Sequence, residues 1–310
     1  MSAADLLPQV RFRQSLLFLI FPFITIFAFA EPLSENQEIL SKVLEHLTTH
    51  YFRPLSPAEL HTKSLTELFL SLDQETHLES VKPSESDFVR GLKDEKSIAK
   101  IQHLQNYAAY IQISFLGRRT ANDFGQLLNQ FVHKDIQTLI LDLRGNSGGS
   151  LESGIALIEH FIPYGKLLFT FEGRDGLATK RYSKNTETRF FKIIILINAQ
   201  TASTAEMIAD SLRRYAHAQL IGEPTYGKRS VQEVFAVDSS HTLFLTTGHF
   251  ILPDDSQEKI QPDVRMPSEK AFEQALSEIT RKEVGSLHLT ESETSVRDGK
   301  AVKAAAAPQL

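Results

Sequence analysis

"FKIIILINAQTASTAEMIADSL", Phe191 to Leu212, decides the architecture, because an almost wholly apolar, isoleucine-rich run gives way across one short turn to a helical pattern. The run reads as a buried strand. The turn that follows is small and rich in hydroxyls. Thr201, Ser203 and Thr204 are all good N-cap residues, and Glu206 is placed to close a capping box. Two readings stand at this point. The hydroxyls cap the helix, or one of them sits at a strand-to-helix corner where its oxygen is exposed and backbone N–H groups converge.

The 310-residue chain is long enough for one large domain or two small ones. Its composition is globular, 42% hydrophobic and 23% charged, and the net charge of −5 is spread without long runs of one sign. Nothing in that distribution points to nucleic acid as a partner. Cysteine is absent, which excludes a disulfide scaffold, thiolate zinc sites, a cysteine nucleophile and a lipoprotein cysteine anchor. The 11 histidines show no H-E-x-x-H or other metal spacing, so neither metal nor cofactor is expected. His217, His241 and His249 lie near the turn in sequence and leave a Ser-His pairing open.

At the N-terminus, Arg11 and Arg13 precede "SLLFLIFPFITIFAFA" and an A-x-A-like site at Ala28 to Ala30. This predicts a secretory signal peptide over residues 1–30, and with it a periplasmic or extracellular place of work. An uncleaved anchor is the competing reading, because the stretch is just under membrane-spanning length.

From Glu35 to Leu72 apolar residues recur at helical spacing, with Pro54 and Pro57 separating two helices. Residues 73–106 read as polar and irregular apart from a weak helix near Phe88 to Leu92. Beyond them the pattern alternates: strand 107–115, helix 119–132, strand 137–145, helix 150–162, strands 166–173 and 191–198, then the helix after Thr201. Shorter strands follow at 218–221, 231–237 and 242–252, and a last helix spans Glu269 to Arg281. The expected fold is an α/β core with parallel pairings and a site at the strands' C-terminal ends. Past Val284 the chain is Ser/Thr/Ala-rich, and a disordered tail over 284–310 is expected.

Two further stretches carry chemistry. "LDLRGNSGGS" (141–150) sets a Gly-rich turn between a strand and a helix, freeing backbone N–H groups for an anion. A phosphate loop would continue with Lys and Ser/Thr, whereas Ser150 and Leu151 follow here, so an oxyanion hole or a plain tight turn remains. "GEPTYGKRSVQ" (222–232) places Lys228 after a Gly-bearing turn. A lysine that serves as a base must be held neutral near pH 7, which takes burial that sequence alone does not reveal.

Taken together, "LDLRGNSGG", "NAQTASTAE" and "GEPTYGKRSVQ" resemble the C-terminal-processing (tail-specific) serine peptidases of the S41 type. That family reads "LDLRxNxGG", "NxxSASxxE" and "GxxTxGKxxVQ" in the same order. "AYIQISF", "LTTGHFILP" and "IQPDV" match its flanking strands, and "SLDQETHLES" looks like its LDPHS-type segment, so the resemblance covers roughly 35–265. It implies an α/β, ClpP/crotonase-like core of mixed β-sheet with packed helices over 107–283, preceded by a small helical segment and connector over 31–106. It also implies Ser203 as nucleophile, Lys228 as general base of a Ser-Lys dyad, and Gln232 orienting the lysine by hydrogen bonding. Gly149 and Thr204 would offer backbone N–H groups to the oxyanion, and Glu206 would lend structural support. The activity implied is hydrolysis of protein or peptide substrates with apolar C-termini. The rival is a non-catalytic binding protein on the same scaffold.

Three departures from the family pattern stand out. The family's PDZ domain, which gates substrates, has no room between Glu79 and Tyr107, so a regulatory protein partner in its place is an expectation. Arg229 stands where glycine is usual, either beside Lys228 or turned away by strand alternation. Lys259 and Ile260 stand where a glycine is common. The small apolar residues of "AVKAAAAPQL" further suggest that the chain trims or blocks itself at its own end.

Overall fold

The computed structural model describes residues 34–61, 64–82, 86, 97–174, 176, 178–253 and 258–280. The expected signal peptide, the weak helix near Phe88 and the tail beyond Val284 lie outside the described residues. Among the described residues, no helix is long and apolar enough to cross a membrane.

The fold is a mixed α/β arrangement of two sheets with packed helices, preceded by a small helical segment. Helices α1 (Glu35–His50), α2 (Pro57–Leu60) and α3 (Leu65–Ser71) come first, followed by the short strand β1 (His77–Glu79). The strands β2 (Ile98–Leu104), β3 (Ala108–Ile113) and β4 (Thr138–Asp142) then alternate with α4 (Thr120–His133) and α5 (Leu151–Glu159). Strands β5 (Leu167–Gly173), β6 (Ala178–Tyr182) and β7 (Lys192–Ile197) lead into α6 (Thr204–Ala216). The chain continues through β8 (Gln219–Gly222), β9 (Ser230–Ala236), β10 (Thr242–Ile251) and β11 (Val264–Arg265). A 3-10 turn at Ser268–Lys270 leads into α7, residues 271–280.

The six-stranded sheet runs β11-β8-β7-β4-β3-β2, parallel throughout except that β2 pairs antiparallel with β3. Its central strand β7 explains its own sequence. Ile193, Ile195 and Ile197 join the core shared with α4, α5 and α6, while Ile194 and Leu196 join Ala271, Ala275 and Ile279 on the other face. A strand covered on both sides has no polar face to present, hence the unbroken apolar run. Each of these side chains is essentially inaccessible, and burial of each contributes about 1.5–3 kcal/mol. Helix α6 ends at His217, which adopts a left-handed conformation (φ 53°) and lets Ala218 N–H close on the Leu212 carbonyl at 3.1 Å.

The second sheet is antiparallel and built around β10, which pairs with β9 along most of its length, with β1 at its start and with β5 at its end. On it lie the first helices, whose Val43, Leu47, Tyr51 and Leu68 form a separate core with Leu243 and Leu245.

The region 73–106 holds more structure than its polar pattern predicts. β2 extends the parallel sheet, and β1 adds to β10. β2 is an edge strand with most of its residues exposed or half-buried, so it lacks the apolar alternation that announces a strand. β6 and β11 also escape sequence reading, β6 because it is mostly exposed and β11 because it is only two residues long.

Candidate active site

Three turns converge at the C-terminal ends of β4, β7 and β8, where a parallel sheet presents its site. The first two are bound to each other by short, buried polar side chains. Asn146 donates from Nδ2 to the Ile113 carbonyl (2.9 Å) and accepts the Gly148 N–H at Oδ1 (2.8 Å), while its own carbonyl accepts the Ala202 N–H (2.9 Å). Thr201 Oγ1 donates to the Leu143 carbonyl at 2.9 Å, and Asn198 Oδ1 accepts the Gly145 N–H at 3.0 Å. Gly148 lies so close that a Cβ there would stand 2.9 Å from Ser203 Cβ and 3.2 Å from Thr204 N. Gly149, at φ 131°, passes Leu116 with no room for a side chain. Below the loop, buried Asp142 accepts from the Tyr110 hydroxyl (2.7 Å) and pairs with Arg144, which also donates to the Ser268 carbonyl. Burial first, then the hydrogen bond to Asp142, pushes the Tyr110 phenol up.

Ser203 is the N-cap of α6 and has φ 55°, a conformation uncommon for a residue with a side chain. Glu206 Oε2 accepts the Ser203 N–H at 2.9 Å, the acidic half of a capping box. The Glu206 N–H in turn closes on the Ser203 carbonyl at 2.8 Å. Thr204 Oγ1 donates to the Gly149 carbonyl at 3.2 Å, tying the two turns again. Among the described residues, neither the Gly149 N–H nor the Thr204 N–H is used in a hydrogen bond. Two unspent donors therefore flank the serine.

Glu206 does more than support its helix. Fully buried, it accepts from Thr225 Oγ1 (2.6 Å), Gly227 N–H (3.0 Å) and Lys228 N–H (2.9 Å), and it pairs with Arg229 at 3.4 Å. Burial pushes its carboxyl up, and the Thr225 hydrogen bond, the Arg229 charge and the backbone donors oppose that. Ser203 and Lys228 thus donate their backbone N–H groups to the same oxygen, which sets the two residues side by side. Arg229 turns toward Glu206, the Glu258 carbonyl and the Phe250 ring, away from the partners of the Lys228 amine. The turn at Lys259 and Ile260, where the family pattern has glycine, closes on Thr225 through Ile260 N–H to Thr225 Oγ1 at 2.9 Å.

Lys228 Nζ donates to Gln232 Oε1 and to Glu75 Oε2, each at 2.7 Å, while Gln232 Nε2 donates to the Glu75 carbonyl at 2.6 Å. No hydrogen bond among the described residues joins Lys228 Nζ to Ser203 Oγ. The structure therefore brings Lys228 and Gln232 together, and Ser203, Gly149 and Thr204 together. The two groups are joined through Glu206, not through the amine. Glu75 lies in the "SLDQETHLES" segment, but nothing in the sequence shows how far its carboxylate reaches. The histidines stand elsewhere: His217 is exposed at the far end of α6, His241 pairs with Asp238, and His249 packs edge-on against Phe52.

The site thus sets a glycine turn beside a serine of positive φ at a strand-to-helix corner, with a lysine held nearby through Glu206. The Peptidase family S41 model matches residues 107–266, just over half of the chain, and the chain belongs to that family. It is 26% identical over 166 residues to the carboxy-terminal processing protease CtpB of Bacillus subtilis (strain 168), covering 53% of this chain and 35% of that protein. With CtpA of the same organism the identity is 31% over 163 residues, covering 52% and 35%. The chain spans about a third of the length of these curated relatives. In fold it is similar to a lipoprotein from Streptococcus agalactiae, with a TM-score of 0.62 at 20% identity, covering 86% of this chain and 99% of that one.

Proposed function

We propose that this protein is an exported serine peptidase of the C-terminal-processing type, acting on protein or peptide substrates with apolar C-termini. Residues 107–283 are its peptidase core. Residues 31–106 are a helical segment and connector without a PDZ domain, whose last strand extends the core sheet. Ser203 is the nucleophile and Lys228 the general base, with Gln232 positioning the amine and the Gly149 and Thr204 N–H groups receiving the oxyanion. The observation that carries this reading is the shared oxygen of Glu206, which holds the serine and lysine backbones together beside two unspent N–H donors.

In acylation, the Ser203 hydroxyl proton moves to neutral Lys228 Nζ as Oγ bonds to the substrate carbonyl carbon. The carbonyl oxygen takes the negative charge against the two N–H groups. Collapse breaks the C–N bond, and Lys228 gives its proton to the departing amine. Water then attacks the acyl ester, passing its proton to Lys228. The C–Oγ bond breaks, and Ser203 recovers its proton.

The test compares the purified protein with Ser203→Ala and Lys228→Ala on an unfolded protein with an apolar C-terminus, products being followed by mass spectrometry. Both variants should lose activity by roughly 10⁴–10⁶-fold while melting as the wild type does. Undiminished cleavage by Ser203→Ala would refute the assignment, and an inert wild type would favour a binding role.

A further inference from the structure

The reach of Glu75 is the feature that the proposed reaction leaves unused. Its carboxylate takes one hydrogen bond from Lys228 Nζ at 2.7 Å, and Gln232 takes another. A base must accept a proton from Ser203, and as held here the amine only donates, to two acceptors that are not the serine.

The geometry also shows which partner is fixed. Asp73 closes a turn under Glu75, accepting the Glu75 and Thr76 N–H groups at 2.9 and 3.1 Å and the Thr76 hydroxyl at 2.7 Å. The same carboxylate accepts from Tyr51 (3.0 Å) and from Thr246 of β10 (2.9 Å), and so pins the turn to both the helical segment and the sheet. Gln232 secures the Glu75 carbonyl. Glu75 is thus fixed through its backbone, while Lys228 reaches it on a flexible four-carbon stem; both side chains are partly covered, 33% and 21% exposed.

We infer that Glu75 is a positioning residue that holds the Lys228 amine off Ser203, so that the lysine must leave this carboxylate before it serves as base. The inference rests on the proposed Ser203–Lys228 chemistry, but its test separates the two.

Full-length wild-type protein, Glu75→Gln and Glu75→Ala would be compared at one pH by two labels, with thermal melting confirming that each is folded. Trace acetic anhydride reports the free amine of Lys228 relative to the other lysines, and a fluorophosphonate reports the reactivity of Ser203. Both labels should rise about two- to fivefold in the variants, the scale of one partly exposed ion pair. General loosening of the fold would raise labelling of many lysines and lower the melting point, whereas loss of the Glu75 carboxylate raises Lys228 alone. Unchanged Lys228 labelling, with Ser203 reactive in the wild type, would overturn the inference and leave the peptidase reading intact. Raised Lys228 labelling with Ser203 inert in every protein would uphold the hold of Glu75 on Lys228 and refute the peptidase reading. A fall in Ser203 labelling in folded variants would also overturn the inference, because it would make the carboxylate a working partner of the base.

Discussion

The two sides of the site are built from different materials. Around Ser203, the turns after β4 and β7 are joined by short side chains, Asn146, Asn198, Thr201 and Thr204, bonded almost entirely to backbone. Around Lys228, three long side chains meet end to end, and Glu75 and Lys228 stand 153 positions apart in the chain. Short side chains on backbone have few rotamers to lose and hold N–H donors in place, as stabilising a developing oxyanion requires. Long side chains on one another can exchange partners, as a base that must gain and release a proton requires. Rigidity and mobility are thus assigned to separate halves, with Glu206 as the joint.

Removing that joint is the strongest way to break the comparison. Glu206→Ala removes the carboxylate that Arg229 pairs with and strips the acceptor from three N–H groups, at a cost of about 3–5 kcal/mol measurable by urea unfolding. A midpoint equal to wild type would mean that the halves are held together by something else. Within the rigid half, Gly149→Ala drives a Cβ to 2.3 Å from the Leu116 carbonyl oxygen at φ 131° and should cost about 1–3 kcal/mol. Gly165→Ala, at φ 79° in open space, carries only the backbone penalty of about 1 kcal/mol, so the difference between the two measures the tightness of the turn at Gly149.

The smallest effect belongs to the turn under Glu75 on the adjustable side. Burial would raise the Asp73 carboxyl, but hydrogen bonds from Thr76, Thr246 and Tyr51 outweigh it and hold the group below its ordinary value. A depressed folded-state value gives stability that is present above the unfolded value, about pH 3.9, and is lost as pH falls through the folded one. Asp73→Asn should therefore lower the unfolding free energy at pH 7 by about 1 kcal/mol, seen as a modest drop in Tm, and narrow its gap to wild type at pH 3. A gap that widens in acid would show that the carboxylate is not what holds the turn.

Much of this was legible in the sequence. The apolar runs of β4 and β7 announced doubly covered strands, the turns after β4, β7 and β8 stood out by their glycines and hydroxyls, and α4 and α6 by their periodicity. The family matched by the structure-bearing core is the one those three turns resemble. What stayed hidden was non-local. β2 does not alternate because it lies at an edge. Arg229 could be placed near Lys228 or away from it until Glu206 was seen to claim it. Glu206 looked like a cap because its bonds to Thr225, Gly227 and Lys228 span some twenty positions. Glu75 was legible only as part of the "SLDQETHLES" segment, since its reach to Lys228 depends on the turn at Asp73 and on where β10 brings that turn.

β10 therefore has a consequence for the order of assembly. The apolar stripe of α1 and α3 lies on Leu243 and Leu245, and β1 pairs with Thr242 to Phe244, so the first helices have no surface to cover until the chain is nearly complete. The parallel strands from β3 to β8 find their partners among nearer neighbours, and contacts across short loops close sooner than those across long ones. The corner at Ser203 is built from these nearer contacts. The turn that carries Glu75 is bonded through Asp73 to Thr246, so the contact of Glu75 with Lys228 waits on β10, whereas the link of Lys228 to Ser203 through Glu206 does not.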